Sequence, residues 1–178
     1  MVTAVRRHLV RMVGSLVREV QDFPKRGIVF QDLTPVLSDG PALSWCSEWL
    51  GDQVTKYRGD VVAGIEARGF VFGALAAEHA SVGFVPVRKK NKLPHKVVRE
   101  RYSLEYGEDV LEVHADSLEG KRVVIVDDVL ATGGTAAAAA RLVIRAGGKV
   151  AGFAFLLRIA ALRGEKNLRH RWSSVLCR

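Results

Sequence analysis

The chain has 178 residues, 48% of them hydrophobic and 26% charged. That is enough to bury one sizeable core and too short for two ordinary domains, so a single domain over 1–178 is expected. Twenty-seven Lys and Arg against 19 Asp and Glu leave a formal charge of +8, which implies either an anionic partner or a very soluble surface. Cys46 and Cys177 stand far apart and fit no metal-ligand spacing, which argues against a zinc site or a disulfide framework. The N-terminus is basic without an apolar signal core, and no segment approaches the ~20 apolar residues of a membrane span. A cytoplasmic protein with no membrane partner is expected.

The charge is unevenly placed. Residues 88–101 carry seven basic residues and one acid, 6–26 carry a net +4 and 158–178 a net +5, flanking a mildly acidic body. In chain order, Val5, Leu9, Met12, Val13, Leu16, Val17 and Val20 recur at helical spacing, which predicts an amphipathic helix over 5–20. Residues 22–37 hold two prolines, a glycine and the short apolar run Ile28 to Phe30, which suits an ordered loop with a little extended structure. A second helix is predicted over 41–57, with Leu43, Trp49, Leu50 and Val54 inward. The rhythm then becomes strand and helix in alternation: strands over 60–65, 83–87, 122–126 and 149–157, and helices over 69–79 and 134–146. Continuous apolar strands separated by helices predict an α/β fold with a mainly parallel central sheet flanked by helices. Residues 95–113 alternate charged and apolar residues without a helical period and are read as a loop. Ligands of such sheets sit where the strands end and the loops to the helices begin, so the places to look follow Ile65, Val87 and Val126.

After the third of these the chain reads VVIVDDVLATGGTAAAA. Two adjacent carboxylates, Asp127 and Asp128, end an apolar strand, and the turn of Ala131, Thr132, Gly133, Gly134 and Thr135 leads into a helix. Glycines let a backbone approach closely, amide hydrogens and two hydroxyls can converge, and a helix start adds positive potential, so this turn suits a phosphate monoester. It lacks the lysine of a Walker loop and is not GxGxxG. The two acids would repel a bare polyphosphate and instead suit hydroxyl groups or a divalent cation. A phosphorylated sugar meets both demands. Arg68 and Gly69 follow the first strand end, where a forked guanidinium can bind phosphate oxygens; the competing reading is a surface ion pair between Glu66 and Arg68. Arg88, Lys89 and Lys92 follow the second strand end and add positive charge.

The stretch 123–135 resembles the phosphoribosyl diphosphate signature of the type I phosphoribosyltransferases. Segments 22–37, 64–77, 83–94 and 102–118 resemble, in the same order, those of the family's adenine-using members, and together they cover roughly residues 16–165. The resemblance implies a type I fold with an N-terminal helix and hood over 1–35 and a mobile active-site loop over 95–113. It implies salvage of adenine with phosphoribosyl diphosphate to AMP and diphosphate, in a homodimer, with Mg²⁺ held mainly by substrate and water rather than directly by the protein. By the same resemblance Arg68, Arg88, Lys89 and Lys92 contact diphosphate, some of them across a dimer interface. Asp127 and Asp128 hold the ribose hydroxyls, and Ala131, Thr132, Gly133, Gly134 and Thr135 hold the monoester phosphate. Glu105 is implied as the proton-transfer residue and Tyr106 as a ring over the reaction centre. Val29, Phe30 and Gln31 belong to the hood that meets the base, with Phe30 stacking and Ile159 opposite. Three departures from the family pattern keep alternatives open: Gln31 where relatives often have arginine, Arg158 beside the base wall, and a short basic tail, HRWSSVLCR. One alternative is a preference for hypoxanthine or guanine, whose carbonyl Arg158 would favour. The other is a nucleic-acid-binding regulator that senses phosphoribosyl diphosphate, a reading disfavoured because the chain keeps Glu105 and Tyr106 and has no room for a recognition domain.

Overall fold

The computed structural model describes residues 2–103 and 107–178, with side chains from residue 7 onward. Two compact units emerge, Met1–Ser47 and Glu48–Arg178. The first holds α1 (Val2–Leu16), β1 (Arg18–Gln21), β2 (Val29–Asp32), α2 (Thr34–Ser38) and the beginning of α3 (Gly40–Lys56). The helical spacing predicts a helix to residue 20, yet α1 ends at Leu16. The next residues pair antiparallel with β2, Val20 opposite Phe30, because a ladder partner outweighs a local helical pattern. Helix starts are marked by carboxylates: Asp32 accepts the Thr34 N–H at 2.9 Å and Asp39 the Ala42 N–H at 2.8 Å, each satisfying an orphan donor of a first turn. Val13, Leu33, Val36, Ala42, Trp45 and Cys46 are buried. Burial pushes the Cys46 thiol up to about 12, so it stays protonated and unreactive at neutral pH.

The second unit is built on a seven-stranded sheet of order β5-β6-β4-β3-β7-β8-β9, with β3 (Val61–Ile65), β4 (Gly83–Lys89), β5 (Val97–Ser103), β6 (Glu108–His114), β7 (Arg122–Leu130), β8 (Lys149–Arg158) and β9 (Trp172–Cys177). β4, β3, β7, β8 and β9 run parallel. All five residues of β3 are buried, as a strand covered on both faces requires. The helices α4 (Arg68–His79) and α5 (Gly134–Arg145) follow β3 and β7. Ala136, Ala138, Ala139 and Ala140 of α5 are buried together with Leu142 and Val143, so the alanine run is the contact surface of a helix lying close to the sheet.

Two elements depart from the sequence reading. Residues 95–113 are for the most part an antiparallel hairpin, β5 against β6 with Glu100 opposite Leu111, and not a loop. Burial there follows the period-2 pattern of a half-buried strand: Glu100 and Tyr102 are buried while Arg99, Arg101 and Ser103 are exposed. The basic tail forms β9, parallel to β8 with Leu176 opposite Leu157, a pairing that no local signal announces. Among the described residues no helix is long and apolar enough to cross a membrane.

Candidate functional site

The register brings three strand ends to one edge of the sheet: Ile65 pairs with Val87 and Gly64 with Val126. Asp127 and Asp128 therefore emerge beside the turn after β3 and near the end of β4. Asp128 is buried and forms an ion pair with Arg68, the first residue of α4. Its side chain is 6% exposed against 43% for Arg68, so the arginine covers the acid and retains a water-facing side. Asp127 lies one residue earlier and its Oδ1 accepts the Asp128 N–H at 2.9 Å. Withdrawal from water, reinforced by the charge of Asp128, raises the Asp127 carboxyl well above the usual carboxylate range.

Beyond them the turn 131–135 encloses a cavity of ≈ 80 Å³ lined by Asp127 and residues 129–136. Gly133 has φ +79, a left-handed conformation that costs glycine nothing and strains other residues. It precedes α5, whose start faces the cavity. The Asn167 side chain donates to the Thr132 carbonyl at 2.7 Å. A side chain added to Gly164 would come within 2.9 Å of the Gly133 nitrogen. The turn is therefore braced from behind by Gly164 and Asn167.

Gly69 has a different task. A Cβ there would meet the Val126 carbonyl at 2.8 Å and Asp127 Oδ1 at 2.9 Å, so the absence of a side chain lets the first turn of α4 lie against the end of β7. That contact is what puts Arg68 on Asp128. The Glu66–Ala67 peptide just before it is cis. Glu66 does not pair with Arg68. It pairs instead with Arg88 at 3.3 Å and accepts the Lys89 N–H at 2.9 Å. The Lys89 amide foremost, and the Arg88 guanidinium with it, hold its carboxyl below the usual range against the opposing effect of burial. Arg88 also donates to the Lys92 carbonyl at 3.1 Å, so Glu66 and Arg88 together shape the turn after β4.

Lys89 points to the hairpin. Its Nζ binds Asp109 and, at 3.0 Å, the Tyr102 hydroxyl. Burial works to lower its pKa but is outweighed by these partners, so the net shift is upward and the lysine is firmly charged. Arg99 binds the fully buried Glu112 at 2.7 Å. Ile159 follows β8 and its N–H donates to Leu130 at 3.0 Å, which ties it to the β7 end. Arg158 does not stand open beside it. Its guanidinium pairs with Glu165 at 3.2 Å, donates to Cys177 Sγ at 3.0 Å and lies 5.6 Å over the Trp172 ring. Glu105 and Tyr106 lie outside the described residues. Val29, Phe30 and Gln31 lie on β2 of the N-terminal unit, where the Phe30 ring meets Phe23 edge-on at 5.2 Å and Gln31 is buried.

Four participants escaped the sequence reading: Glu66 as an organiser of the β4 turn, Asp109 and Tyr102 as partners of Lys89, and Asn167 behind the phosphate turn. Glu66 alone carried a signal, by adjoining Arg68. The others become neighbours only through pairing across 13 to 35 residues.

The strand ends of this parallel sheet gather a carboxylate pair, a glycine-rich turn at a helix start and an arginine, and the family described as the phosphoribosyl transferase domain matches residues 44–178. The adenine phosphoribosyltransferase of Myxococcus xanthus is 52% identical over 176 residues, covering 94% of this chain and 92% of that protein. The crystal structure of adenine phosphoribosyltransferase from Thermoanaerobacter pseudethanolicus superposes with a TM-score of 0.91 at 47% identity, over 95% of this chain and 99% of that one. The Saccharomyces cerevisiae enzyme, crystallised with an iminoaltritol bisphosphate and adenine, matches with a TM-score of 0.89 at 31% identity, over 96% of this chain and 99% of its own. The chain belongs to the adenine phosphoribosyltransferase family.

Proposed function

We propose that this chain transfers the 5-phosphoribosyl group from phosphoribosyl diphosphate to adenine, giving AMP and diphosphate. The observation that carries the reading is the juxtaposition of Asp127 and Asp128 with the enclosed turn 131–135 at one strand end. A ligand spanning both must present hydroxyls to the acids and a phosphate to the turn, about one ribose apart. Arg68 stands where the diphosphate end of such a ligand lies. When it turns to that diphosphate it releases Asp128 to accept a ribose hydroxyl, so substrate replaces the internal ion pair.

In the reaction the bond from the anomeric carbon to the diphosphate oxygen breaks as the bond to a base nitrogen forms, and the base releases a proton. Positive charge grows on the ribose and negative charge on the leaving group. Arg68 and Arg88 stabilise the leaving group, the latter held in place by Glu66. Lys89 joins them only by leaving Asp109. Among the described residues no three His, Cys, Asp or Glu side chains converge on a metal-sized site. That suits a Mg²⁺ held mainly by substrate oxygens and water, as hard oxygen donors suit that ion, with Asp127 and Asp128 engaging the ribose hydroxyls. Bound there, Mg²⁺ would neutralise diphosphate charge. Glu105 and Tyr106 take the proton-transfer and covering roles that the resemblance implies, in the connection between β5 and β6. Phe30, with Val29 and Gln31, takes the base-contact role on the same ground.

Adenine is favoured over hypoxanthine and guanine because Arg158 is already engaged by Glu165 and Cys177. Turning it toward a base carbonyl would leave Glu165 without its cation. A homodimer and a cytoplasmic location complete the reading. The deciding experiment is a turnover assay with adenine, hypoxanthine, guanine and xanthine, each with phosphoribosyl diphosphate and Mg²⁺. We expect adenine to be preferred by kcat/KM, and preference for any other base overturns the proposal. The double variant Asp127→Asn with Asp128→Asn should lose most turnover, whereas near-normal kinetics would remove the ribose-anchoring role.

A further inference from the structure

A second cavity, of ≈ 590 Å³, runs along the flank of α5 between β5 and the segment 166–170. Its size is that of an ordinary small-ligand site. Its lining is one-sided in charge: Arg141, Lys166, Arg169 and His170 face it, and no carboxylate among the described residues does. Arg141 is braced by buried Glu100 at 2.6 Å, a carboxylate it shares with Arg145 at 3.0 Å. Among the described residues, Lys166 and Arg169 have no carboxylate partner. Uncompensated cations around a concave surface raise the local concentration of anions. Ile144, half exposed, adds an apolar contact on the same wall.

The cavity meets the turn 131–135 at Gly134, which lines both, and extends from there along α5. The segment that supplies Lys166 also supplies Asn167, which holds the Thr132 carbonyl, and Gly164, which sits against Ala131 and Gly133. Gly133 and Gly164 have no side chain to spare at this contact, so displacement of the segment by a fraction of an ångström is felt in the turn. An anion that draws Lys166 and Arg169 toward Arg141 therefore pulls on the brace of the phosphate turn.

We propose that this cavity is a second, regulatory site for a small molecule carrying linked phosphates, and that its occupancy changes the affinity of the turn 131–135 for the phosphate of the substrate. Linked phosphates match the spread of Arg141, Lys166 and Arg169 over two elements better than a single phosphate does. The apolar wall makes a nucleotide a better occupant than free polyphosphate.

The test titrates the full chain with ATP, GTP and inorganic tripolyphosphate by calorimetry. It compares the unaltered protein with Lys166→Glu/Arg169→Glu, with the milder Lys166→Gln/Arg169→Gln, and with Asp127→Asn/Asp128→Asn. Circular dichroism checks that each variant is folded. We expect binding that is retained in the Asp127/Asp128 variant and weakened about tenfold or more in both Lys166/Arg169 variants, with the nucleotides tighter than tripolyphosphate. Without added ligand, those variants should keep kcat and KM within about twofold, since a surface charge away from reacting groups contributes little to either. With ligand, the KM for phosphoribosyl diphosphate should shift in the unaltered protein only. Absence of binding up to about 1 mM, equal binding to all proteins, or loss confined to the Asp127/Asp128 variant overturns the site. Binding with an unmoved KM overturns the coupling.

Discussion

Gly69→Ala changes one hydrogen to a methyl group at the junction between helix and acid pair. The new carbon would stand 2.8 Å from the Val126 carbonyl oxygen and 2.9 Å from Asp127 Oδ1, with Asp127 Cα at 3.3 Å. The carboxylate oxygen can swing aside, but Val126 is held in the β3–β7 ladder and its carbonyl cannot. The relief must come from α4, whose first turn moves away from the sheet. Overpacking of this kind costs about 1–3 kcal/mol, and alanine returns about 1 kcal/mol of helix propensity, leaving a net loss of about 0–2 kcal/mol. The larger effect is on function, because α4 carries Arg68: a shift of about 1 Å in a positioning element costs on the order of 100-fold in rate. Urea unfolding and steady-state kinetics measure the two. Gly40→Ala is the control, since nothing lies within 4 Å of its added carbon, and it should leave both within error. A Gly69→Ala protein as stable and as active as the parent would refute the claim that close approach at this glycine positions the site.

Asp127→Asn should weaken turnover and yet raise thermal stability by about 2–4 °C, because it removes the cost of holding a carboxyl withdrawn from water beside Asp128. With its folded pKa raised, Asp127 favours the folded state at low pH and loses that advantage as pH rises through the folded value, so the stability gain should be largest at neutral pH; calorimetry across pH reads it. Glu112 has the opposite sign. Burial raises its pKa, but Arg99 and the amides of Asn91 and Lys92 outweigh it and the net shift is downward. Its contribution is therefore complete above the ordinary carboxylate value near ~4.3 and lost as pH falls through the lower folded one. Glu112→Ala leaves the Asn91 amide without its carboxylate acceptor while Arg99, 56% exposed, turns to water, so it should cost about 1–3 kcal/mol at neutral pH, and no measurable loss in urea unfolding contradicts the pairing. Glu66→Ala frees Arg88 and the Lys89 amide, so the KM for phosphoribosyl diphosphate should rise about tenfold or more, and an unchanged KM would show that Glu66 organises nothing.

The sequence by itself determined the parallel core and the chemical centre of the site. Runs such as Val61–Ile65 and Val123–Val126 have one stable use, as strands buried on both faces. The string Asp127 to Thr135 sets two acids beside a glycine turn at a helix start in residue types that are local to one strand end. Burial alternates along Val97–Ser103, but the sequence there runs Arg-Glu-Arg and the buried position is Glu100, so the strand period became legible only once Glu100 was paired with Arg141 and Arg145. What the tertiary structure alone decided is who faces whom. Glu66 took Arg88 and left Arg68 to Asp128; Lys89 turned to Asp109; Arg158 was claimed by Glu165 and Cys177; and the tail became β9. A charged side chain reaches several partners of opposite sign, and the choice among them depends on register, burial and distance. Those quantities come into being only when residues far apart in the chain are brought to one edge of a sheet.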